Sequence, residues 1–291
     1  MKMKRLIVLL YVFFLPTFGC VSIPDTSTVE DRPQKFDLLP TDNLCHPELV
    51  YSHQIPSPAV AKGIDPSGFS LLSWNIQKEN RKGWDTDLAR FSQNADIVII
   101  QEAYLTEDLR RLLLRRPYYW HLVTAFEYQE VKAGVLTAAT IEPDFICPLR
   151  MTEPLIRFPK SILITRYPLT DTPYSLMIAN IHLINFTPHI TTYGHQVRQL
   201  TEILVNHQGP MILAGDFNTW SEERLAIIEE VAARLSLVPA TFKTDRARKV
   251  FGYTVDRVYY RGLTLQEASV IEVNSSDHNP LWVRFKLKDG G

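Results

Sequence analysis

The chain has 291 residues, with 31 Lys plus Arg against 32 Asp plus Glu and 45% apolar residues. This composition excludes disorder over the whole length and needs no framework of disulfides to build a core. A formal net charge of -1 excludes a global electrostatic funnel toward nucleic acid or anionic membrane, so a polyanionic substrate must be met by a local patch or by metal ions.

At the start, Lys2, Lys4 and Arg5 precede an unbroken apolar run from Leu6 to Leu15, and Pro16-Thr17-Phe18-Gly19 leads to Cys20. This is the three-part form of an export signal. Ten apolar residues at about 1.5 Å each cover half of a hydrocarbon core of roughly 30 Å, too little for a permanent span. The Gly19-Cys20 junction resembles the lipobox of bacterial lipoproteins, which implies a lipid on Cys20 and attachment to a membrane. Thr17 and Phe18 depart from the usual box, so ordinary secretion or an uncleaved anchor stays open. The expected location is outside the cytoplasm, periplasmic or membrane-anchored. Removal of residues 1–19 leaves 28 basic against 32 acidic residues, a charge of -4.

With Cys20 lipidated, Cys45 and Cys147 remain. In an oxidising compartment they either bridge the N-terminal extension to the body or stay as separate thiols, Cys147 then serving as a small buried hydrophobe. Residues 21–68 carry seven prolines and little periodic apolar pattern. Proline removes donors and blocks helix and central strand, so this stretch reads as a tether that becomes an irregular wrap over the domain.

From Phe69 to the end, short apolar runs bounded by turn residues predict strands. They are Phe69–Trp74, Ile97–Ile100, Val135–Ala139, Ser161–Thr165, Ser175–Leu183, Met211–Ala214, Val255–Tyr260 and Leu281–Leu287. Between them lie helical windows at Thr86–Gln93, Thr106–Arg115, Thr191–His207 and Ser221–Leu235. The helices are too few for an alternating βα barrel. An α+β domain of two packed sheets flanked by helices is expected over residues 69–291.

Polar residues able to bind metal or phosphate sit at the ends of these runs. Asn75 follows Leu71-Leu72-Ser73-Trp74, Glu102 follows Ile99-Ile100-Gln101, and His182 follows Ile178-Ala179-Asn180-Ile181. Asp216 and Asn218 follow Leu213-Ala214-Gly215, and Asp277-His278 precede the last strand. Singly, each has a plain structural explanation: an Asn forms turns, a Glu caps a helix, a His in an apolar strand is a satisfied core residue. Together they make an all-oxygen donor set with histidines, suited to Mg²⁺ or Mn²⁺ and to phosphodiester hydrolysis, with no thiolate or paired-His spacing for zinc. Glu102 is the expected principal metal ligand, helped by Asn75 and by Asp277, and an auxiliary Ca²⁺ is also compatible.

The order Ser73-Trp74-Asn75-Ile76-Gln77, Gln101-Glu102, Asn180-Ile181-His182-Leu183, Gly215-Asp216-Phe217-Asn218, Val255-Asp256-Arg257-Val258, Ser276-Asp277-His278-Asn279-Pro280 resembles the endonuclease/exonuclease/phosphatase superfamily, whose best-known fold is that of deoxyribonuclease I. The resemblance implies a four-layer α/β/β/α sandwich with mainly antiparallel sheets. It also implies that Asp256 orients His278, that Asp216 orients or deprotonates water, that Asn218 donates its amide to the phosphate, and that His182 stands near the phosphate or leaving group. In the deoxyribonuclease-like branch this second histidine pairs with an upstream glutamate, for which Glu127, slightly preferred, and Glu130 are the candidates. Gly134–Ala139 departs from the family's common Gly-x-Ala-Ile-Leu-Ser strand.

Residues 241–261 hold Lys243, Arg246, Arg248, Lys249, Arg257 and Arg261 against Asp245 and Asp256, either a phosphate-contacting patch or solvated loop charges. On a regular strand Arg257 points away from Asp256 and drops out of the site. The histidine pair of the deoxyribonuclease-like branch slightly favours nucleic acid as substrate, for a monomeric enzyme. A phospholipid or small-molecule phosphoester, as for a sphingomyelinase-like phospholipase C, is the second reading. In that case Pro117-Tyr118-Tyr119-Trp120 or Asn185-Phe186 would enter a bilayer, unless they pack against the protein. A tethered binding protein that has lost catalysis is the third, opposed by the completeness of the residue set.

Overall fold

The computed structural model describes residues 21–24, 28–31, 45, 62–187, 189–244 and 246–288; the segment expected to be an export signal and Cys20 lie outside them. Eight strands form the first sheet: β1 (Val21–Ser22), β2 (Thr28–Asp31), β3 (Phe69–Asn75), β4 (Ile97–Tyr104), β5 (Tyr119–Tyr128), β6 (Val131–Ala139), β15 (Leu263–Val270) and β16 (Leu281–Leu287). Their order is β1-β5-β6-β4-β3-β16-β15, with β2 also on β5. The second sheet has the order β11-β14-β10-β9-β8-β7, built from β7 (Phe145–Thr152), β8 (Pro159–Pro168), β9 (Ser175–His182), β10 (Met211–Asp216), β11 (Val238–Pro239) and β14 (Asp256–Arg261). A small hairpin, β12 (Lys249–Val250) and β13 (Tyr253–Thr254), precedes β14. β3–β4 and β9–β10 pair in parallel and the other pairs are antiparallel.

Strand alternation sends successive side chains to opposite faces, and this builds three apolar layers from two sheets. Leu71, Ile97 and Ile99 of the first sheet meet Ile178, Ile212, Ala214 and Val258 of the second. Their neighbours Leu72, Trp74, Val98 and Ile100 turn outward onto α1 (Trp84–Ser92) and α2 (Glu107–Leu114). Ala179, Ile181 and Leu213 turn outward onto α3 (Ile190–Leu204) and α4 (Glu222–Arg234). The result is helices, sheet, sheet, helices. Each predicted helix is present, and two start on side-chain caps: Thr106 accepts from Leu109 N, and Ser221 from Arg224 N.

Beside the short strands β1, β2, β11, β12 and β13, three longer strands lie outside the sequence-based expectation. β7 carries Pro148 in its interior, which it tolerates as the edge of the second sheet. β15, the edge of the first sheet, mixes exposed Thr264 and Glu267 with buried Leu263 and Ala268 and so shows no apolar run. β5 begins inside the segment considered for bilayer insertion. Tyr118 and Trp120 are instead buried in the outer layer with α2. The N-terminal extension is more regular than a wrap where it is described: β1 and β2 pair with β5, Ile64 bridges to Leu169, and Cys45 is joined to Cys147 on β7 by a disulfide.

Candidate functional site

One end of the sandwich collects the ends of β3, β4 and β9, β10 and the starts of β8, β14 and β16. On the second sheet, Asp256, Asp216 and His182 are direct neighbours across three strands, so their side chains share one face. On the first sheet, the strand order places Asn75 between the strand of Glu102 and the strand that follows Asp277 and His278. The two rows face each other.

Contacts link all eight expected residues. Asn75 Nδ2 donates to Asp216 Oδ2 at 3.2 Å, and His182 Nε2 lies 3.6 Å from the same oxygen and 3.8 Å from Glu102 Oε1. His278 Nδ1 and Asp256 Oδ2 are hydrogen-bonded at 2.7 Å, which directs Nε2 into the pocket, 4.0 Å from Asp277 Oδ1. Asp216, Asp256 and His278 form a tight group whose polar atoms lie within 4.8 Å of one another. Asn218 N donates to Asp216 Oδ1 at 3.0 Å, while its amide donates to Leu183 O at 2.9 Å. One of the two amide hydrogens is thus used on the backbone of the β9–α3 loop, which fixes the orientation of the side chain.

Local backbone explains how strand ends aim these groups. Glu102 has φ +52° beside an irregularity in the β4–β6 register, and the turn swings its carboxylate into the site. Asn218 has φ +49°, a conformation asparagine tolerates. Gly215 has φ +133°, and a Cβ there would stand 2.1 Å from Ile181 O, so no larger residue fits between β10 and β9. Beneath the site, Gln101 Nε2 donates to Asn180 Oδ1 at 2.8 Å and Asn180 Nδ2 to Leu136 O at 2.8 Å, pinning the sheets together.

Three cations complete the site: Lys78 and Lys160, which sequence reasoning missed, and Arg248, which it had placed in the basic patch of residues 241–261. Lys78 Nζ lies 3.1 Å from Glu102 Oε2, and Lys160 Nζ lies 3.5 Å from Glu102 Oε1 and 2.9 Å from His182 Nε2. Arg248 Nη1 donates to Asp277 O at 3.1 Å, with Nη2 3.6 Å from Asp277 Oδ2. Lys160, at the start of β8, has no motif around it; only the topology shows that this strand start adjoins His182. Neither glutamate considered as the His182 partner is among the contacts of the ring: Glu127 accepts from Ser22 Oγ at 3.4 Å, and Glu130 is exposed at the β5–β6 turn. Lys160, Glu102 and Asp216 surround His182 instead. Arg224, also missed, is buried between Tyr193 and Trp220 and donates to the carbonyls of Ile184, Asn185 and Asn218, fixing the loops after β9 and β10.

The electrostatics follow from this packing. Burial alone would raise the Glu102 carboxyl, but the neighbouring cations, Lys160 foremost, hold it at about 2. Burial, reinforced by Lys160, keeps His182 well below its usual value, so the ring is neutral and accepts from the lysine. Burial raises Asp216 to about 6, with Asp256 adding to the shift. For His278 burial opposes charge, yet the Asp256 carboxylate outweighs it and lifts the imidazole to about 9.

The oxygen donors suit a hard divalent cation. Asp277 Oδ1 is buried with no hydrogen-bond donor, Glu102 is held ionised, and Asn75 lies between their strands. His278, lifted to about 9 by Asp256, carries a proton on both ring nitrogens near neutral pH, so the His278–Asp256–Asp216 group suits proton handling better than ligation.

The model of the Endonuclease/Exonuclease/phosphatase family matches residues 72–278. A UPF0294 protein of Yersinia enterocolitica is 41% identical over 216 residues, 74% of this chain and 83% of that protein. A UPF0294 protein of Vibrio campbellii is 37% identical over 278 residues, 95% of this chain and 96% of that one. The structure of the human Nocturnin catalytic domain with bound sulfate anion has a TM-score of 0.59 at 17% identity, covering 78% of this chain and 97% of that one, a likeness of fold. The matched span runs from within β3 through His278 and so includes all eight residues brought together at the site; the chain belongs to the endonuclease/exonuclease/phosphatase family.

Proposed function

We propose that the protein is a divalent-metal-dependent phosphodiester hydrolase working outside the cytoplasm. The observation that carries this reading is the Asp256–His278 hydrogen bond of 2.7 Å beside Asp216, opposite the wall bearing Glu102 and Asn75. Glu102, with Asn75 and Asp277, would hold a Mg²⁺ or Mn²⁺ ion. When bound, the cation supplies charge neutralisation at the non-bridging phosphate oxygens. Asp256 orients His278 toward the phosphate, and Asp216 is placed to align the attacking water or take its proton. Lys160, 2.9 Å from His182, adds positive charge on the leaving-group side. The Cys45–Cys147 disulfide supports an oxidising compartment.

The charge argument for nucleic acid weakens in three dimensions. Arg246 pairs with Glu272, Arg248 with Asp277, Arg257 donates to Thr219 Oγ1, and Arg261 donates to Leu235 O at the far end of β14. These arginines hold the protein together rather than form one open phosphate track. The phospholipid reading gains from exposed Phe186, four residues beyond His182. The two classes separate when the full chain, with Mg²⁺ or Mn²⁺, is offered plasmid DNA, RNA, phosphatidylglycerol vesicles and bis-p-nitrophenyl phosphate in parallel, each with and without EDTA. EDTA-sensitive cleavage of a phosphodiester is expected; no turnover of any phosphodiester, or turnover indifferent to EDTA, contradicts the proposal.

A further inference from the structure

The loops around the pocket expose an unusual share of large apolar side chains. Leu155, Ile156 and Phe158 lie in the β7–β8 loop directly before Lys160, and Phe186 lies in the loop after His182. Phe251, 83% exposed, is the tip of the β12–β13 hairpin, whose neighbour Arg248 holds Asp277. By strand direction all three segments are at the catalytic end of the sandwich. Exposed Arg157 stands between Ile156 and Phe158, and exposed Lys82 follows β3 at the same end, its neighbour Gly83 lying against Ser275.

The chain's N-terminal side arrives at this end too. Val21 pairs with Tyr128 and Ser22 with Glu127, at the catalytic end of β5. One residue further back, Phe126 packs on Phe158 with ring centroids 5.1 Å apart. Val21 and Ile23 are themselves exposed. The apolar run Leu6–Leu15 and Cys20 therefore join the domain beside the rim, not on the far side where Leu114 and Tyr119 lie.

We infer that the rim formed by Leu155, Ile156, Phe158, Phe186 and Phe251 docks on a phospholipid bilayer, so that the catalytic pocket opens against the membrane surface. The occupant is a bilayer for two reasons. Twenty residues carrying an apolar run precede Val21 at this edge, and a rim that alternates apolar side chains with Arg157 and Lys82 matches an interface of acyl chains and anionic headgroups. Apolar loop residues gathered at one end, where Leu114, Tyr119, Tyr174 and Val238 stand apart elsewhere on the described surface, and carried by two strand connections and a hairpin, fit a flat surface better than a groove for a peptide. The inference concerns placement and does not depend on which phosphoester is cleaved; it adds to the hydrolase reading the surface at which that site works.

The test places tryptophan at the rim and at the far end of the full chain. Phe251→Trp, Leu155→Trp and Leu114→Trp are each combined with unilamellar vesicles of phosphatidylethanolamine and phosphatidylglycerol, with plain or brominated acyl chains. Docking predicts that bromine quenches the fluorescence added at 251 and at 155, while that added at 114 is unchanged. Equal quenching at all three positions, or quenching at 114 alone, overturns the inference, as does rim fluorescence that responds to protein concentration but not to bromine, the mark of a second copy on the rim. Turnover of soluble bis-p-nitrophenyl phosphate by the same variants is read separately: its absence counts against the hydrolase and leaves the quenching result standing.

Discussion

At the residue scale, the site depends on a few positions where one side chain is the only one the backbone admits. Gly215 is the sharpest case, because a methyl group there would meet Ile181 O at 2.1 Å on a backbone with φ +133°. Gly215→Ala is expected to destabilise the fold by about 2–4 kcal/mol and to displace Asp216, measured by urea unfolding and by phosphodiester turnover. Two histidines outside the site each subtract from stability at acid pH. Burial holds both His121 and His207 at about 4. The unfolded chain, with ordinary histidines near 6.5, binds more protons between those values. Their stabilisation is therefore complete above about pH 6.5 and is lost as the pH falls to about 4, at most about 3 kcal/mol for each. Glu79 and Asp216, raised by burial to about 7 and about 6, work in the opposite sense over the same range, so the test is a difference: between pH 7 and pH 4 the denaturant midpoint of the unmodified chain should fall relative to that of His207→Gln.

At the element scale, strand ends carry the candidate site residues and the helices brace them. The position of apolar runs allowed this to be read for Asn75, Glu102, His182, Asp216, Asp277 and His278, while Asp256, inside the run Val255–Tyr260, was legible only through the motif order of the family. Lys78 and Lys160 were not legible, because a lysine at a strand end is ordinary and only the pairing of β8 with β9 brings Lys160 to His182. The Glu127 expectation failed for a related reason: Glu127 pairs with Ser22 of β1, a strand too short and too polar to be seen in sequence. β7 was hidden by its own Pro148. That edge strand is also where the N-terminal extension is fastened, through Cys45–Cys147 across 102 residues of chain. Opening it with Cys147→Ala is expected to cost about 5 kcal/mol on the loop-entropy account, seen as a lowered urea midpoint that excess reductant reproduces in the unmodified protein.

At the scale of the whole molecule, two sheets of different strand order meet so that one row of acids and histidines faces another. The layered architecture was legible from alternating apolar runs and from the motif order, because each strand has one face for the inter-sheet core and one for a helix. Which loops surround the pocket was not legible: their composition gives no sign that Leu155, Phe186 and Phe251, far apart in sequence, gather at one end. The central claim is that Asp256 and His278 act as one unit in metal-assisted phosphodiester hydrolysis. The most direct measurement is kcat/KM for bis-p-nitrophenyl phosphate with Mg²⁺ in the unmodified chain, Asp256→Asn, His278→Ala and the double variant. The account predicts a loss of about 10²–10⁴ in each single variant with little further loss in the double. Unaltered turnover in His278→Ala, or single losses that multiply in the double variant, would contradict it.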